Sequence, residues 1–155
     1  MSPSPTPVPS SRPPPAWHRW LLHAATLALL VLAAGTVLSR WWEGQAAADF
    51  AVSLEQARAE LEAGEALLID IRETDEHATG VAPGALLVPM RELRSRIDLV
   101  PADPAARVLL ICNTQNRSRA TLLYLHGRGL THVRYVRGGM SEWARRDWPL
   151  VPPGG

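Results

Sequence analysis

The sequence has one cysteine, no lysine and almost no net charge, and these shortages exclude several classes of protein. With one cysteine among 155 residues, the chain has no intramolecular disulfide and no metal site made of cysteines alone. Its five histidines are scattered without metal-binding spacing, so we predict no structural metal and no cofactor. A net charge of +1 argues against nucleic acid as a partner, because phosphate binding requires an excess of basic residues. The lack of lysine beside abundant Ala, Pro and Gly indicates biased codon usage.

The first third of the chain differs from the rest in composition. Residues 1–16 are rich in proline and serine and predict a disordered or polyproline-like tail, because such a stretch cannot pack a core. Residues 21–38 form an uncharged apolar run, about 27 Å long as a helix and close to the hydrocarbon thickness of a bilayer. Trp17 and Trp20 precede this run and Trp41 and Trp42 follow it, as expected for headgroup-level tryptophans. We therefore predict a single-pass membrane anchor over residues 17–42.

Cleavage and orientation of this anchor have to be argued separately. The alanines at 46–48 offer a signal-peptide cleavage pattern, but the apolar run is longer than the roughly 7–15 residues usual in signal peptides. This length favours an uncleaved anchor, with cleavage as the alternative. Arg12 and Arg19 precede the run, whereas Arg40 after it is followed by acidic Glu43 and Asp49. The positive-inside rule therefore favours a cytoplasmic N-terminus and a periplasmic or otherwise extracytoplasmic C-terminal domain.

The remaining sequence predicts a linker over residues 43–47 and one soluble domain over residues 48–155. Short apolar runs alternate with helical segments, which is typical of an α/β domain with a mainly parallel central sheet flanked by helices. The predicted strands cover residues 50–52, 66–71, 85–88, 107–112 and 131–136. The predicted helices cover residues 53–64, 90–99, 117–128 and 141–146, with Ala120, Leu123 and Tyr124 sharing one face of the third. Sites in such sheets form at the carboxyl ends of strands, here the loops after Asp70 and Ile111.

The segment around Cys112 combines the features of a nucleophilic thiol. Residues 109–120 read LLICNTQNRSRA: a buried strand, Cys112, four polar residues, Arg117 and the start of a helix. The backbone N–H groups of such a loop and the helix N-terminus both favour a negative charge, and hence the nucleophilic thiolate. A lone cysteine behind a strand is more often a small core residue, but the polar turn and Arg117 favour the reactive alternative. Residues 104–155 also carry eight arginines and two acids, a balance that attracts anions.

Three motifs together resemble the rhodanese family and cover nearly all of the soluble domain. The first is LLIDIRETDEHATGVAPGALLVPM, in which the matching residues are Asp70, Arg72, Glu76, Gly80, Pro83, Gly84, Ala85 and Pro89. The second is CNTQNRSRA, with Cys112 as the nucleophile and Arg117-Ser118 opening a helix. The third is VRGGMSEWARRDWPL, in which the matching residues are Gly138, Gly139, Trp143 and Pro149. The order and spacing of the motifs make this resemblance strong.

The resemblance implies a rhodanese-like fold and sulfur transfer by a ping-pong mechanism. Thiolate Cys112 takes the sulfane sulfur of a small anionic donor such as thiosulfate, and the resulting persulfide passes it to a thiol or to cyanide. The implied substrate-binding residues are Asn113, Thr114, Gln115, Asn116, Arg117, Ser118 and Arg72. The implied structural residues near the site are Asp70, Gly138, Gly139 and Trp143. The membrane is a further expected partner, and a protein partner is left open.

The sequence departs from the family pattern at positions that bear on function. Val81 and Ala82 replace a common His-Ile pair, Gln115 stands where the loop often has glycine, and Asp147 replaces a common glycine. Gln115 motivates the alternative of a weakly or non-catalytic module that carries sulfur or binds a partner at the membrane. A phosphatase or arsenate reductase is a third hypothesis. The four residues between Cys112 and Arg117, one fewer than in the related phosphatase loop, favour sulfur transfer.

Overall fold

A computed structural model describes residues 17–154, apart from the side chains of residues 17–19, 40, 43, 44 and 46. The predicted proline-rich tail, residues 1–16, lies outside the described residues. The chain divides into two compact units, Met1–Glu43 and Gly44–Gly155. Ala47, which we assigned to the linker, is fully buried in the core of the second unit, and its carbonyl accepts a hydrogen bond from the Phe50 N–H. The exact domain boundary stays a prediction.

The helix α1 (Trp17–Ala48) contains the apolar run. Its segment Trp20–Ser39 has a mean hydropathy of 2.2 and is long and apolar enough to cross a membrane, a criterion that a signal sequence also meets. None of this segment is buried within the structure, which distinguishes it from the core helix of a soluble domain. Trp20, Trp41 and Trp42 are exposed at its two ends, as residues at a membrane interface are.

The second unit contains the parallel sheet that the alternation of strands and helices predicts. Its strands are β1 (Ala51–Val52), β2 (Leu67–Asp70), β3 (Leu86–Leu87), β4 (Val108–Ile111) and β5 (Arg134–Val136). Their order across the sheet is β1-β5-β4-β2-β3, and every pairing is parallel. β4 is therefore central, and Asp70 at the end of β2 is in register with Ile111 at the end of β4. The loops after these two residues leave the sheet side by side.

Four of the five α-helices described in this unit overlap the predicted helical segments, whereas the short helix over residues 74–77 is not among those segments. The five helices are α2 (Leu54–Glu62), α3 (Thr74–His77), α4 (Met90–Ser95), α5 (Asn116–His126) and α6 (Gly139–Arg145). α2 begins directly after Ser53, which caps the helix because its side chain accepts a hydrogen bond from the Gln56 N–H at 3.2 Å. The predicted helix over residues 90–99 instead ends at Ser95 and continues as a 3₁₀ turn, Ile97–Leu99. Val100 is then extended, as a residue before proline usually is.

Alternate residues of the central strands pack on opposite faces of the sheet. Val108 and Leu110 join the core cluster beneath α4 and α5, whereas Leu109 and Ile111 join the cluster beneath α2 and α6. Because helices cover both faces, the strand reads as a continuous apolar run. Cys112 is the next residue in this alternation and belongs to the cluster on the α5 side.

The predicted apolar face of α5 is wrong. Its buried residues are Ser118, Thr121, Leu122 and Leu125, whereas Leu123 and Tyr124 are half-buried and Ala120 is exposed. The short polar side chains of Ser118 and Thr121 face inward, where the helix begins against the Cys112 loop. A pattern of apolar residues alone assigns such a face incorrectly, because the polar residue Ser118 is buried against the Cys112 sulfur.

Candidate active site

Cys112 follows the last residue of β4 and begins the loop that leads into α5. It is 1% exposed. The Ser118 N–H donates to the Cys112 Sγ at 3.4 Å, and the Ser118 hydroxyl lies 3.5 Å from the same sulfur. Ser118 is the third residue of α5, so its N–H is one of the helix-terminal donors that have no partner within the helix. The sulfur therefore lies at the N-terminus of an eleven-residue helix, where the backbone dipoles stabilise negative charge.

The Cys112 loop turns its carbonyl groups towards α6. The Met140 N–H donates to the Cys112 carbonyl and the Ser141 N–H to the Asn113 carbonyl, both at 2.8 Å. The C=O and N–H groups of a trans peptide point in opposite directions, so the N–H groups of Asn113 and Thr114 point away from α6. Successive N–H groups on one side of a tight loop form a concave site for an anion. The loop therefore offers backbone donors on the side opposite α6.

Gly138 and Gly139 allow the β5–α6 turn to approach the loop this closely. Gly139 has φ +61, and a Cβ atom there would lie 2.4 Å from the Cys112 carbonyl oxygen. Gly138 has φ +78, and its Cβ would lie 2.9 Å from that of Glu142. Both positions exclude a larger residue on conformational and steric grounds. The structure places both glycines against the loop, and their role as structural residues of an active site stays a prediction.

The Arg117 guanidinium is held by Glu76 on α3. Its two terminal nitrogens donate to the two Glu76 carboxylate oxygens, each at 2.6 Å. The hydrogen bond from Arg117 lowers the pKa of Glu76 from 4.5 to about 2, and the carboxylate in turn raises the pKa of Arg117. Glu76 also accepts a hydrogen bond from the Glu73 N–H at 3.0 Å, as part of the α3 capping box. The first turn of α5 is thereby fixed to α3, and the charge of Arg117 is held in place near the loop.

Arg72 is buried, and its guanidinium is bound to groups of the domain itself. Its Nε and Nη2 donate to Asp70 Oδ2 at 2.9 and 2.6 Å. Nη1 donates to the Glu76 carbonyl at 3.1 Å, and Nη2 donates also to the Gly80 carbonyl at 2.9 Å. These bonds connect the end of β2 to α3 and to the turn that follows it. Arg72 also lines a cavity of about 220 Å³ together with Asn113 and Ser141. It therefore lies next to the loop, but none of the hydrogen bonds just described joins it to Cys112.

His77 is a buried residue near the site that the sequence analysis did not single out. Its Nε2 lies 3.6 Å from Asp70 Oδ1 and has no hydrogen-bond partner within the part of the chain that the structure describes. In the sequence it is one of five scattered histidines, and nothing marks it as the one beside Asp70.

The remaining predicted site residues divide between the loop and the core. Asn113, Thr114 and Asn116 are exposed, and Gln115 is half-buried. The Asn113 side chain accepts a hydrogen bond from the Ser141 hydroxyl at 2.8 Å, a partner that the sequence analysis also missed. Trp143 lies away from the loop in the core beneath α2 and α6, with its Nε1 donating to the Pro149 carbonyl at 2.9 Å.

Comparison with known proteins agrees with this arrangement. The rhodanese-like domain family matches residues 53–146. The chain belongs to the rhodanese-like domain family. This confirms the resemblance of the three motifs and the α/β fold with a parallel central sheet. Since the match includes the Cys112 loop, the rhodanese-like domain carries the candidate site described above.

Relatives of this rhodanese-like protein have related names. A sulfurtransferase of Allochromatium vinosum is 38% identical over 103 residues, which cover 66% of this chain and 92% of the relative. A human thiosulfate:glutathione sulfurtransferase is 30% identical over 108 residues, which cover 62% of this chain and 94% of the relative. The structure of a human single-domain sulfurtransferase is 28% identical with a TM-score of 0.55, covering 63% of this chain and 96% of that one. These relatives support sulfur transfer as the general activity.

Proposed function

We propose that the chain moves sulfane sulfur from a small anionic donor such as thiosulfate to a thiol acceptor through a persulfide on Cys112. The observation that carries this proposal is the position of the Cys112 sulfur, which lies 3.4 Å from a helix-terminal N–H and begins a loop whose carbonyls face α6. Such an arrangement stabilises the thiolate and receives the anionic group of a donor. The arrangement therefore favours nucleophilic attack by the sulfur of Cys112.

In the first half of the reaction, the Cys112 thiolate attacks the outer sulfur of thiosulfate. A new S–S bond forms at Cys112, the S–S bond of thiosulfate breaks, and sulfite leaves with the bonding electron pair. The backbone N–H groups of residues 113–118 stabilise the negative charge of the donor and then of the persulfide. The charge of Arg117, held by Glu76, adds a fixed positive group beside the loop.

In the second half, an acceptor thiolate attacks the outer sulfur of the persulfide and regenerates the Cys112 thiolate. Transfer in two steps through a covalent intermediate makes the reaction ping-pong. The name of the human relative supports thiosulfate as a donor and glutathione as an example of the acceptor class.

We infer further that this reaction takes place at a membrane, in an extracytoplasmic compartment. The support is the exposed apolar segment Trp20–Ser39 and the placement of Arg12 and Arg19 before it. A reporter fused after Gly155 tests this orientation. Activity of a reporter that works only outside the cytoplasm is expected, and activity of a reporter restricted to the cytoplasm would contradict it.

The central experiment is intact-mass spectrometry of the full chain in detergent micelles, before and after exposure to thiosulfate. We expect an added mass of one sulfur atom on the wild-type chain and its loss when a thiol such as glutathione is added. Cys112→Ser is the variant that removes the nucleophile, and it takes up no sulfur. Ser95→Ala is a matched control, because it removes an exposed hydroxyl that binds the Glu92 carbonyl within α4.

The outcome separates the proposed activity from the alternatives. A chain that takes up no sulfur from thiosulfate or other sulfane donors is not a sulfurtransferase of this kind. Uptake without discharge to any thiol would instead favour a sulfur carrier for a partner at the membrane. Rapid turnover of an aryl phosphate would favour the phosphatase hypothesis.

A further inference from the structure

The first half of the Cys112 loop is fixed to the β5–α6 turn and the first residues of α6 by backbone hydrogen bonds. The Met140 and Ser141 N–H groups bind the carbonyls of Cys112 and Asn113, both at 2.8 Å. The second half of the loop is joined to the same turn by a side chain. Gln115 Oε1 accepts a hydrogen bond from the Gly138 N–H at 3.3 Å. The glutamine therefore extends the series of cross-links along the loop to the residue at which α5 begins.

Gln115 is also linked to the group that contacts the nucleophile. Its backbone carbonyl accepts a hydrogen bond from the Ser118 hydroxyl at 3.1 Å and another from the Arg119 N–H at 2.9 Å. Ser118 contacts the Cys112 sulfur through both its N–H and its hydroxyl, at 3.4 and 3.5 Å. A displacement of Gln115 is therefore transmitted, through Ser118, to the surroundings of the sulfur.

The backbone at Gln115 does not itself require a particular residue. Its φ is −179°, an extended value that any residue adopts. What the glutamine adds is the side-chain oxygen that binds Gly138. Without that oxygen, the Gly138 N–H loses its acceptor, and the end of the loop loses its connection to the turn. A protein group that is already held in its bound position strengthens substrate binding, because less conformational entropy is lost when the substrate binds.

We propose that Gln115 is a positioning residue that clamps the Cys112 loop to Gly138 and so holds its N–H groups ready for the sulfur donor. This inference rests on the proposed function. It gives Gln115 a role distinct from the direct substrate contact that the family resemblance implies, since its amide oxygen is turned towards Gly138. The fold does not depend on this one bond, because the backbone bonds of Met140 and Ser141 remain when it is lost.

The test compares three variants of the full chain in detergent micelles. Gln115→Met preserves the length of the side chain but removes the acceptor, whereas Gln115→Glu keeps an oxygen that accepts the Gly138 N–H. Gln56→Met is the matched control, because Gln56 is exposed on α2 and its side chain binds Glu60. The measurements are KM and kcat for thiosulfate, the rate of Cys112 alkylation by iodoacetamide at one fixed pH, and hydrogen exchange of the Gly138 amide.

We expect Gln115→Met to raise KM for thiosulfate about fivefold, the factor that corresponds to roughly 1 kcal/mol for one hydrogen bond. We expect kcat to change less than KM, Cys112 to be alkylated more slowly, and the Gly138 amide to exchange faster. Gln115→Glu should retain slow exchange at Gly138, and Gln56→Met should match the wild type throughout. A wild-type KM together with unchanged Gly138 exchange in Gln115→Met would overturn the inference.

The role proposed for Gln115 and the proposed sulfur transfer are refuted by different results. If the wild-type chain takes up no sulfur, the proposed function is refuted. The role proposed for Gln115 is then tested by alkylation of Cys112 and by hydrogen exchange of the Gly138 amide, neither of which involves a sulfur donor. Faster Gly138 exchange together with slower alkylation of Cys112 in Gln115→Met supports the role proposed for Gln115, and unchanged values for both overturn it.

Discussion

The ion pair between Arg117 and Glu76 allows a quantitative prediction about how the site is held together. Glu76→Gln preserves the size of the side chain but removes the charge that Arg117 binds through two hydrogen bonds of 2.6 Å. The pKa of Glu76 is lowered from 4.5 to about 2. At about 1.4 kcal/mol for each pKa unit, this shift sets an upper limit of roughly 3 kcal/mol. The two side chains are 31% and 30% exposed, so solvent weakens the pair, and we expect a loss of about 1–2 kcal/mol.

The pH dependence of this loss follows from the direction of the shift. The pKa of the Glu76 carboxyl is lower in the folded protein than its value of 4.5 in the unfolded chain, chiefly because Arg117 binds the carboxylate. Its contribution to stability is therefore complete above pH 4.5 and is lost as the pH falls towards 2. The difference in unfolding free energy between wild type and Glu76→Gln should be constant near neutral pH and should shrink across this acidic range.

Urea unfolding of the full chain in detergent micelles, followed by circular dichroism, measures this difference at each pH. Glu62→Gln is the control, because Glu62 binds Arg58 at the same distance of 2.6 Å but is 61% exposed. Its loss should be below about 0.5 kcal/mol. Equal losses for the two variants would refute the reasoning, and so would a Glu76→Gln deficit that stays constant down to the lowest pH at which the domain is folded.

Three further predictions concern the backbone and the buried charges of the domain, and each is measured by the same unfolding assay. Gly139→Ala should lower the free energy of unfolding by more than about 3 kcal/mol, because the alanine Cβ would overlap the Cys112 carbonyl. Gly64→Ala, at a similar φ but in open space, should cost about 1 kcal/mol, and equal costs would contradict the steric argument. Arg72→Gln should lower the free energy of unfolding by about 3–5 kcal/mol, because it leaves the Asp70 carboxylate buried without its partner. Adding Asp70→Asn should restore part of this stability. No recovery in the double variant would contradict the importance of this ion pair. Asp147 has φ 53, so Asp147→Gly should stabilise the domain by up to about 1 kcal/mol, whereas a decrease in stability would show that its side chain makes a compensating contact.

The sequence was sufficient to predict the features that depend on local pattern. The apolar runs gave β2 and β4, because strands covered on both faces contain almost no polar residues. The Ser53 cap and the change from a strand to polar residues at Cys112 are likewise local signals. The location of the candidate site followed from one general rule, since loops at the carboxyl ends of adjacent parallel strands lie together.

What the sequence could not provide was the pairing of side chains across the fold. Arg117 binds Glu76, 41 positions earlier, and the two residues meet because the loops after β2 and β4 leave the sheet side by side. Gln115 was predicted to face a substrate, but its amide oxygen binds Gly138, a choice decided by the approach of the β5–α6 turn. The buried face of α5 was mispredicted for a related reason, because Ser118 turns inward to a neighbour, Cys112, that a helical pattern does not include.

The uniform direction of the five strands has a consequence for where the chain enters the domain relative to Cys112. Every strand runs the same way, so the chain enters β1 at Ala51 on one edge of the sheet, while Cys112 follows the end of β4 on the other. A strand of four residues such as β4 is roughly 13 Å long. The thiol and the start of β1 therefore lie at opposite ends of the strands, about one strand length apart. The Cys112 loop therefore lies at the opposite ends of the strands from those at which the chain enters the sheet. A change in the length of the segment before Ala51 acts at the strand ends that do not carry this loop.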